Sequence, residues 1–105
     1  METTEAPPEP PPVPLGAEEV KARLKQLPGW QLRPAGKAIW RRCTSSTPMH
    51  AVLVAAIFAI TGEMRHHSVD IRLHNNRLYL LLTTPGAGGV TEEDLDLAWV
   101  VNLLI

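Results

Sequence analysis

The chain has 105 residues, enough for one small domain around a single hydrophobic core. Its 10 Lys and Arg nearly balance its 11 Asp and Glu, so no overall field favours nucleic acid or an anionic membrane as a partner. Cys43 is the one cysteine, which excludes an intrachain disulfide and, without a ligand cluster around it, predicts a buried inert thiol and no metal site. Because so small a core is marginal alone, we expect self-association.

The N-terminal segment has an unusual composition. Residues 1–15 hold six prolines and three glutamates, which predicts a disordered tail ahead of a domain over residues 16–105. Its PxxP spacing leaves open a docking motif for a proline-binding groove. No signal peptide is apparent, and the longest apolar run, residues 51–60, is half the roughly twenty residues that a membrane span needs. We therefore expect a cytoplasmic protein without a membrane partner.

The first half of the domain predicts a helix, a hairpin and a second helix. Residues 17–27 carry apolar side chains at helical spacing, and Pro28 ends that pattern. Residues 30–33 and 38–44 are β-prone and are joined by Pro34-Ala-Gly36, which favours a hairpin with a loose turn. The strand register of this pair is ambiguous from the sequence.

The second helix is unusual because it is apolar on every side. Thr47 and Pro48 are a typical helix start, and the helix is predicted to run to about Met64. Since a domain of this size cannot cover such a helix all round, its second face should meet another subunit. The residues expected at that interface, with one from the last helix, are Ala56, Ile57, Ile60 and Trp99.

The second half of the domain predicts two strands and a last helix. Polar and apolar residues alternate over residues 70–74 and 77–83, with Asn75-Asn76 as a tight turn between them. The face predicted to stay open carries Asp70, Arg72, His74, Arg77, Tyr79 and Leu81. Thr91 and Asp94 resemble a capping box at the start of a helix over residues 91–105. His50 and His74 are expected to be solvated.

The predicted order is helix, two strands, helix, two strands, helix. This order favours an α+β fold in which one four-stranded antiparallel sheet has all three helices on one face. The other face of the sheet should remain uncovered.

Three motifs in this order carry a family resemblance. They are Leu27-Pro-Gly-Trp30, the His66-His67 pair, and Ala87-Gly-Gly-Val-Thr-Glu-Glu-Asp94. Residues 17–105 resemble the pterin-4a-carbinolamine dehydratase family. The resemblance implies a homodimer or tetramer, with subunit sheets joined edge to edge and helices forming a second interface.

The resemblance also implies a set of catalytic residues, of which this chain keeps only part. His66, His67 and Asp94 match the family's positions, and Ser68 is an allowed small residue. The sequence departs from the pattern at three places. Gly62 replaces a charged residue (Glu63 comes one place late), His74 or Asn75 replaces an aromatic ring, and Pro85 replaces the third histidine.

These departures matter because dehydration of a carbinolamine needs one proton donated and one removed, which suits imidazoles that titrate near neutrality. Proline has no proton to exchange, so His66, His67 and Asp94 are interpreted as a vestigial or weak site. Structural roles would explain the same residues, since histidines at a helix C-terminus and a carboxylate at a helix N-terminus both oppose the helix dipole. The tryptophans are interpreted as core or interface residues.

Two functional hypotheses follow, and a third is disfavoured. The first is a non-catalytic protein without a cofactor that binds a client through Arg72, His74, Arg77, Tyr79 and Leu81. It resembles the dehydratase-like RuBisCO assembly factors, which would make it a carboxysome-associated RuBisCO chaperone. The second is an active dehydratase of tetrahydrobiopterin recycling that uses His66 and His67 on a pterin substrate without a metal. Nucleic-acid binding through the sheet is disfavoured by the balanced charge.

Overall fold

The computed structural model describes residues 13–44, 47–61, 68–75 and 77–104. The helices are α1 (Ala17–Leu24), α2 (Thr47–Thr61) and α3 (Glu92–Leu104), and a 3₁₀ turn covers Pro85–Ala87. The strands are β1 (Gln31–Leu32), β2 (Ile39–Thr44), β3 (Ser68–His74) and β4 (Arg77–Thr83). The predicted element order and α+β class are confirmed. Residues 1–12 of the predicted tail and the extension of α2 towards Met64 lie outside the described residues.

The strands form one antiparallel sheet in the order β1-β2-β4-β3. β4 lies in the interior of the sheet, while β3 is an edge strand that pairs only with β4. Asn75 begins the turn between them at φ 49°, a left-handed conformation that asparagine tolerates better than most residues. This turn fixes which residues of β3 and β4 face each other.

Alternation along β4 divides the sheet into a covered face and an uncovered one. Leu78, Leu80 and Leu82 are fully buried and pack in one cluster with residues of all three helices, among them Val20, Ile57 and Leu97. Burying each such side chain contributes about 1.5–3 kcal/mol. The hydrophobic core therefore lies on one side of the sheet only.

The Leu27-Pro-Gly-Trp30 segment closes this core at one end. α1 ends three residues earlier than predicted, and Leu27 follows in a turn whose amide donates to the Leu24 carbonyl at 3.0 Å. The indole of Trp30 donates to Asn102 Oδ1 at 2.9 Å, and Arg41 donates to the Pro28 carbonyl at 2.9 Å and to the same Asn102 oxygen. The segment thereby connects α1, β2 and α3.

Gly29 is required where Arg41 crosses this segment. Its φ is +89°, and a Cβ there would lie 2.8 Å from the guanidinium carbon of Arg41. The left-handed conformation favours glycine, and any side chain there would also have to displace the end of the Arg41 side chain.

His50 lies in the core, so the prediction that it is solvated was wrong. Its side chain is 1% exposed, because His50, Leu53 and Ile57 share the helix face that packs on the sheet. Cys43 is buried as predicted. Burial raises the pKa of its thiol, and nearby Arg41 only partly opposes that rise.

The outward face of α2 is apolar and exposed. Val52 and Phe58 are 63% and 64% exposed and Met49 is 49% exposed. Of the four residues expected at a subunit interface, Ile57 lies in the core of its own subunit, Ala56 and Ile60 are half-buried, and Trp99 is exposed. Self-association through α2 remains a prediction, and its contacts would come from Val52 and Phe58 rather than from Ile57.

Neighbouring residues of α2 allow a paired test of this packing. Ile57→Ala should lower the free energy of unfolding by about 2–5 kcal/mol because it leaves a cavity in the core. Phe58→Ser should leave the fold intact and reduce the sedimenting mass. Denaturant unfolding and sedimentation velocity measure the two effects, and equal destabilisation by both changes or a monomeric wild type would contradict this description of α2.

An ion pair joins α1 to the start of α3. Both terminal nitrogens of Arg23 donate to the Glu92 carboxylate at 2.8 Å. The hydrogen bond from Arg23 lowers the pKa of Glu92, and the same bond raises the pKa of Arg23. The side chains are 39% and 57% exposed, so the pair should contribute less than about 1 kcal/mol.

The pH dependence of stability should reveal this pair. Because the folded-state pKa of Glu92 lies below its unfolded value, the contribution is complete above the ordinary glutamate pKa of about 4.3 and is lost as pH falls through the folded pKa. Glu92→Gln should therefore lower the melting temperature at pH 7 and have little effect near pH 2. Arg23→Gln should flatten the dependence of the melting temperature on pH in the same way. If Glu92→Gln lowers the melting temperature as much near pH 2 as at pH 7, the Arg23–Glu92 ion pair is not the cause.

Candidate functional site

The residues that the family resemblance assigns to catalysis are only partly within the described structure. His66, His67, Gly62 and Glu63 lie outside the described residues. Asp94 is fully buried in the first turn of α3. Pro85 is exposed and begins the 3₁₀ turn that follows β4.

Asp94 is the centre of a buried hydrogen-bond network. Its Oδ2 accepts from the Thr84 hydroxyl at 2.8 Å and from the Thr91 amide at 2.9 Å. The hydroxyls of Thr84 and Thr91 also lie 2.8 Å apart. The bond from the Thr91 amide is one of the two bonds of a capping box.

This network has a structural role. Thr84 lies between β4 and the 3₁₀ turn, and its amide donates to Gly89 at 3.0 Å, so Asp94 ties both ends of the intervening loop to α3. Hydrogen bonds to an ionised carboxylate are stronger than hydrogen bonds between neutral groups. The position next to Thr84, where the resemblance places a third histidine, holds Pro85.

The uncovered face of the sheet brings the other predicted residues together. In the strand register, Asp70 lies opposite Leu81, Arg72 opposite Tyr79, and His74 opposite Arg77. Directly opposed residues of an antiparallel pair project from the same face. The sequence predicted that these six residues share a face. Together with Trp40 and Arg42 of β2, they are called the open face.

Trp40 and Arg42 also belong to the open face, and the sequence did not reveal them. Trp40 lies opposite Leu81 and Arg42 lies opposite Tyr79. The sequence did carry a signal for them: Ile39 and Cys43 are apolar and both buried, so the alternate positions of β2, Trp40 and Arg42, face the other side of the sheet. Trp30 is 4% exposed and Trp99 is 56% exposed, so the three tryptophans occupy three different environments.

A shallow hollow of about 410 Å³ lies on the open face. Its apolar surface comes from Trp40, Tyr79 and Leu81, with buried Leu80 also lining it. Its polar lining comes from Arg33, Asp70 and Arg72. The volume is within the range of pockets that accept a side chain or a small ligand.

The open face and its hollow are locally positive although the whole chain has a net charge of −1. Arg33, Arg42, Arg72 and Arg77 lie on it, and Asp70 is the one acidic residue among the described strand residues. Asp70 is paired with Arg72 at 3.2 Å. The arrangement can therefore attract anionic groups next to an apolar hollow.

The described residues contain neither a metal-binding cluster nor a membrane-spanning helix. No group of three or more His, Cys, Asp or Glu side chains there could hold a metal ion. In the same part of the chain, no helix has the length and apolarity needed to cross a membrane.

Comparison with known proteins identifies the family. Residues 13–104 match the profile of the family described as pterin 4 alpha carbinolamine dehydratase. A protein of Gloeobacter violaceus provisionally named pterin-4-alpha-carbinolamine dehydratase 2 is 37% identical over 83 residues, which cover 77% of this chain and 90% of the relative. A provisionally named dehydratase of Streptomyces coelicolor is 38% identical over 86 residues, covering 81% and 83%.

A solved structure supports the same assignment. The crystal structure of a transcriptional coactivator/pterin dehydratase from Brucella melitensis matches with a TM-score of 0.80 and 25% identity, over 87% of this chain and 97% of that one. The chain belongs to the pterin-4a-carbinolamine dehydratase family.

The Asp94 network predicts a stability effect separable from catalysis. Thr84→Val should lower the free energy of unfolding by about 1–3 kcal/mol, because it removes a buried hydroxyl and leaves its partners unsatisfied. Thr84→Ser keeps the hydroxyl and should cost clearly less. Urea unfolding compares the two, and a loss in Thr84→Ser as large as or larger than that in Thr84→Val would contradict the dominant role given to the hydroxyl.

Proposed function

We propose that this chain is a non-catalytic member of its family that assists the assembly of RuBisCO in cells with α-carboxysomes, and that it binds its client through the open face. The observation that carries the proposal is the open face itself, where Trp40, Tyr79 and Leu81 lie among arginines on a sheet surface that no described element covers. Tryptophan, tyrosine and arginine are the residues that most often dominate protein interfaces.

The catalytic positions support the non-catalytic part of the proposal. A well-placed proton-transfer group typically accelerates a reaction about 10²–10⁴-fold, and Pro85 cannot act as one. At the position of the pterin-stacking ring stands His74, which is exposed, or Asn75. Stacking on an aromatic ring contributes about 0.5–1.5 kcal/mol beyond burial, so substrate binding would be weakened as well.

RuBisCO as the client, and association with carboxysomes, rest on the resemblance to the assembly-factor branch. A homo-oligomer with exposed sheet faces would present several copies of the open face to a multisubunit client. Repeated weak contacts of this kind give avidity without a large interface for each subunit.

Co-expression tests the proposal. Wild-type protein should raise the yield of assembled RuBisCO when it is produced with both RuBisCO subunits. The double change Arg42→Glu, Arg77→Glu should return the yield to that without the chain, because the open face of the chain then changes from cationic to anionic. Native gel electrophoresis with a carboxylation assay measures the yield. The matched control is Lys25→Glu, an exposed position at the end of α1.

The pattern of responses distinguishes this function from an enzymatic one. His66→Ala with His67→Ala should leave the assembly yield unchanged. If the wild type does not raise the yield, or if the histidine changes abolish its effect, RuBisCO assembly through the open face is the wrong function.

The second candidate is an active dehydratase that acts on a pterin carbinolamine through His66 and His67. It is favoured by the provisional names of the relatives and by retention of Asp94, buried beside the loop that holds Pro85. Under this function the arginines of the open face would not be needed, whereas the histidine pair would be essential.

A further inference from the structure

The register of the sheet surrounds one aromatic residue with cations. Tyr79 lies opposite Arg42 on one neighbouring strand and opposite Arg72 on the other. Arg77 lies two residues away on the same strand, and therefore on the same face. Directly opposed side chains are about 4.5–5.5 Å apart at Cβ, so these cations can act on one bound group.

Most of this charge is available for a ligand. Arg33, Arg42 and Arg77 form no side-chain ion pair or hydrogen bond with any residue that the structure describes. Among the described residues, Arg72 is paired with Asp70, and its side chain remains 77% exposed. An arginine fork without a partner is suited to bidentate binding of a carboxylate.

The hollow lies beside these cations and is lined in part by one of them, Arg72. Arg42, Tyr79 and Arg72 lie opposite one another across three strands, and Trp40 and Leu81 form the neighbouring cross-strand pair on the same face. Trp40 and Leu81 line the 410 Å³ hollow. An aromatic or large aliphatic side chain of a partner could bury its surface there, with acidic neighbours directed to the arginines.

We infer that the open face binds an acidic, extended protein segment that carries one aromatic or large apolar residue, the apolar residue entering the hollow and the carboxylates binding Arg42, Arg72 and Arg77. The inference deepens the proposed function, on which it rests, by stating the chemistry of the client segment. Charge complementarity identifies this occupant, because the face has a surplus of arginines on a chain whose net charge is −1.

Peptide binding tests the inference with the full-length protein. The probe is a fluorescein-labelled peptide, Gly-Asp-Glu-Trp-Asp-Glu-Gly, measured by fluorescence anisotropy. Arg42→Ala and Arg77→Ala should each weaken binding about two- to fivefold, while Lys25→Ala on the helix side should not change it. Replacing the Trp of the peptide with Ala should also weaken binding, and higher salt should reduce it.

Several outcomes would overturn the inference. They are no binding of the acidic peptide, equal binding of a peptide with Lys at the acidic positions, and tighter binding of a single-stranded oligothymidine that depends on Arg42 and Arg77. These outcomes are separable from the proposed function. If RuBisCO yield responds to Arg42 and Arg77 while the peptide does not bind, the client role stands and the acidic segment is wrong.

Discussion

Alternation along β4 places Leu78, Leu80 and Leu82 under the helices and leaves Tyr79 and Leu81 on the opposite side of the sheet. Apolar burial is the dominant stabilising contribution in a domain of this size, and here all three helices are used on one face. The other face cannot be covered from within the described part of the chain. Its aromatic and cationic side chains are therefore available to a partner, and the proposed function depends on that constraint.

The same packing explains how a catalytic position could be lost without loss of the fold. Asp94 is held by Thr84 and Thr91, and those bonds orient α3 and the preceding loop whether or not a substrate is turned over. Arg23 and Glu92 fix the same end of α3 from outside. Pro85 is exposed, so a proline at the position where we propose that the family's third histidine would lie has little structural cost.

The sequence was sufficient for the parts of the fold in which local pattern and burial agree. The alternation in β3 and β4 predicted the open face. β2 was ambiguous because Arg41, on the covered face, reaches Pro28 and Asn102 and so interrupts an apolar pattern. α2 is apolar all round, so its pattern could not indicate that Ile57 and His50 face the core while Val52 and Phe58 face outward. These assignments depend on long-range packing, which local sequence does not encode.

We propose that the chain acts through its uncovered sheet face and does not catalyse the reaction of its family. The decisive measurement is the rate at which the purified protein converts a pterin 4a-carbinolamine, compared with the rate of the spontaneous reaction. We expect no acceleration beyond the spontaneous rate. Clear acceleration that disappears in the His66→Ala, His67→Ala double variant would contradict it.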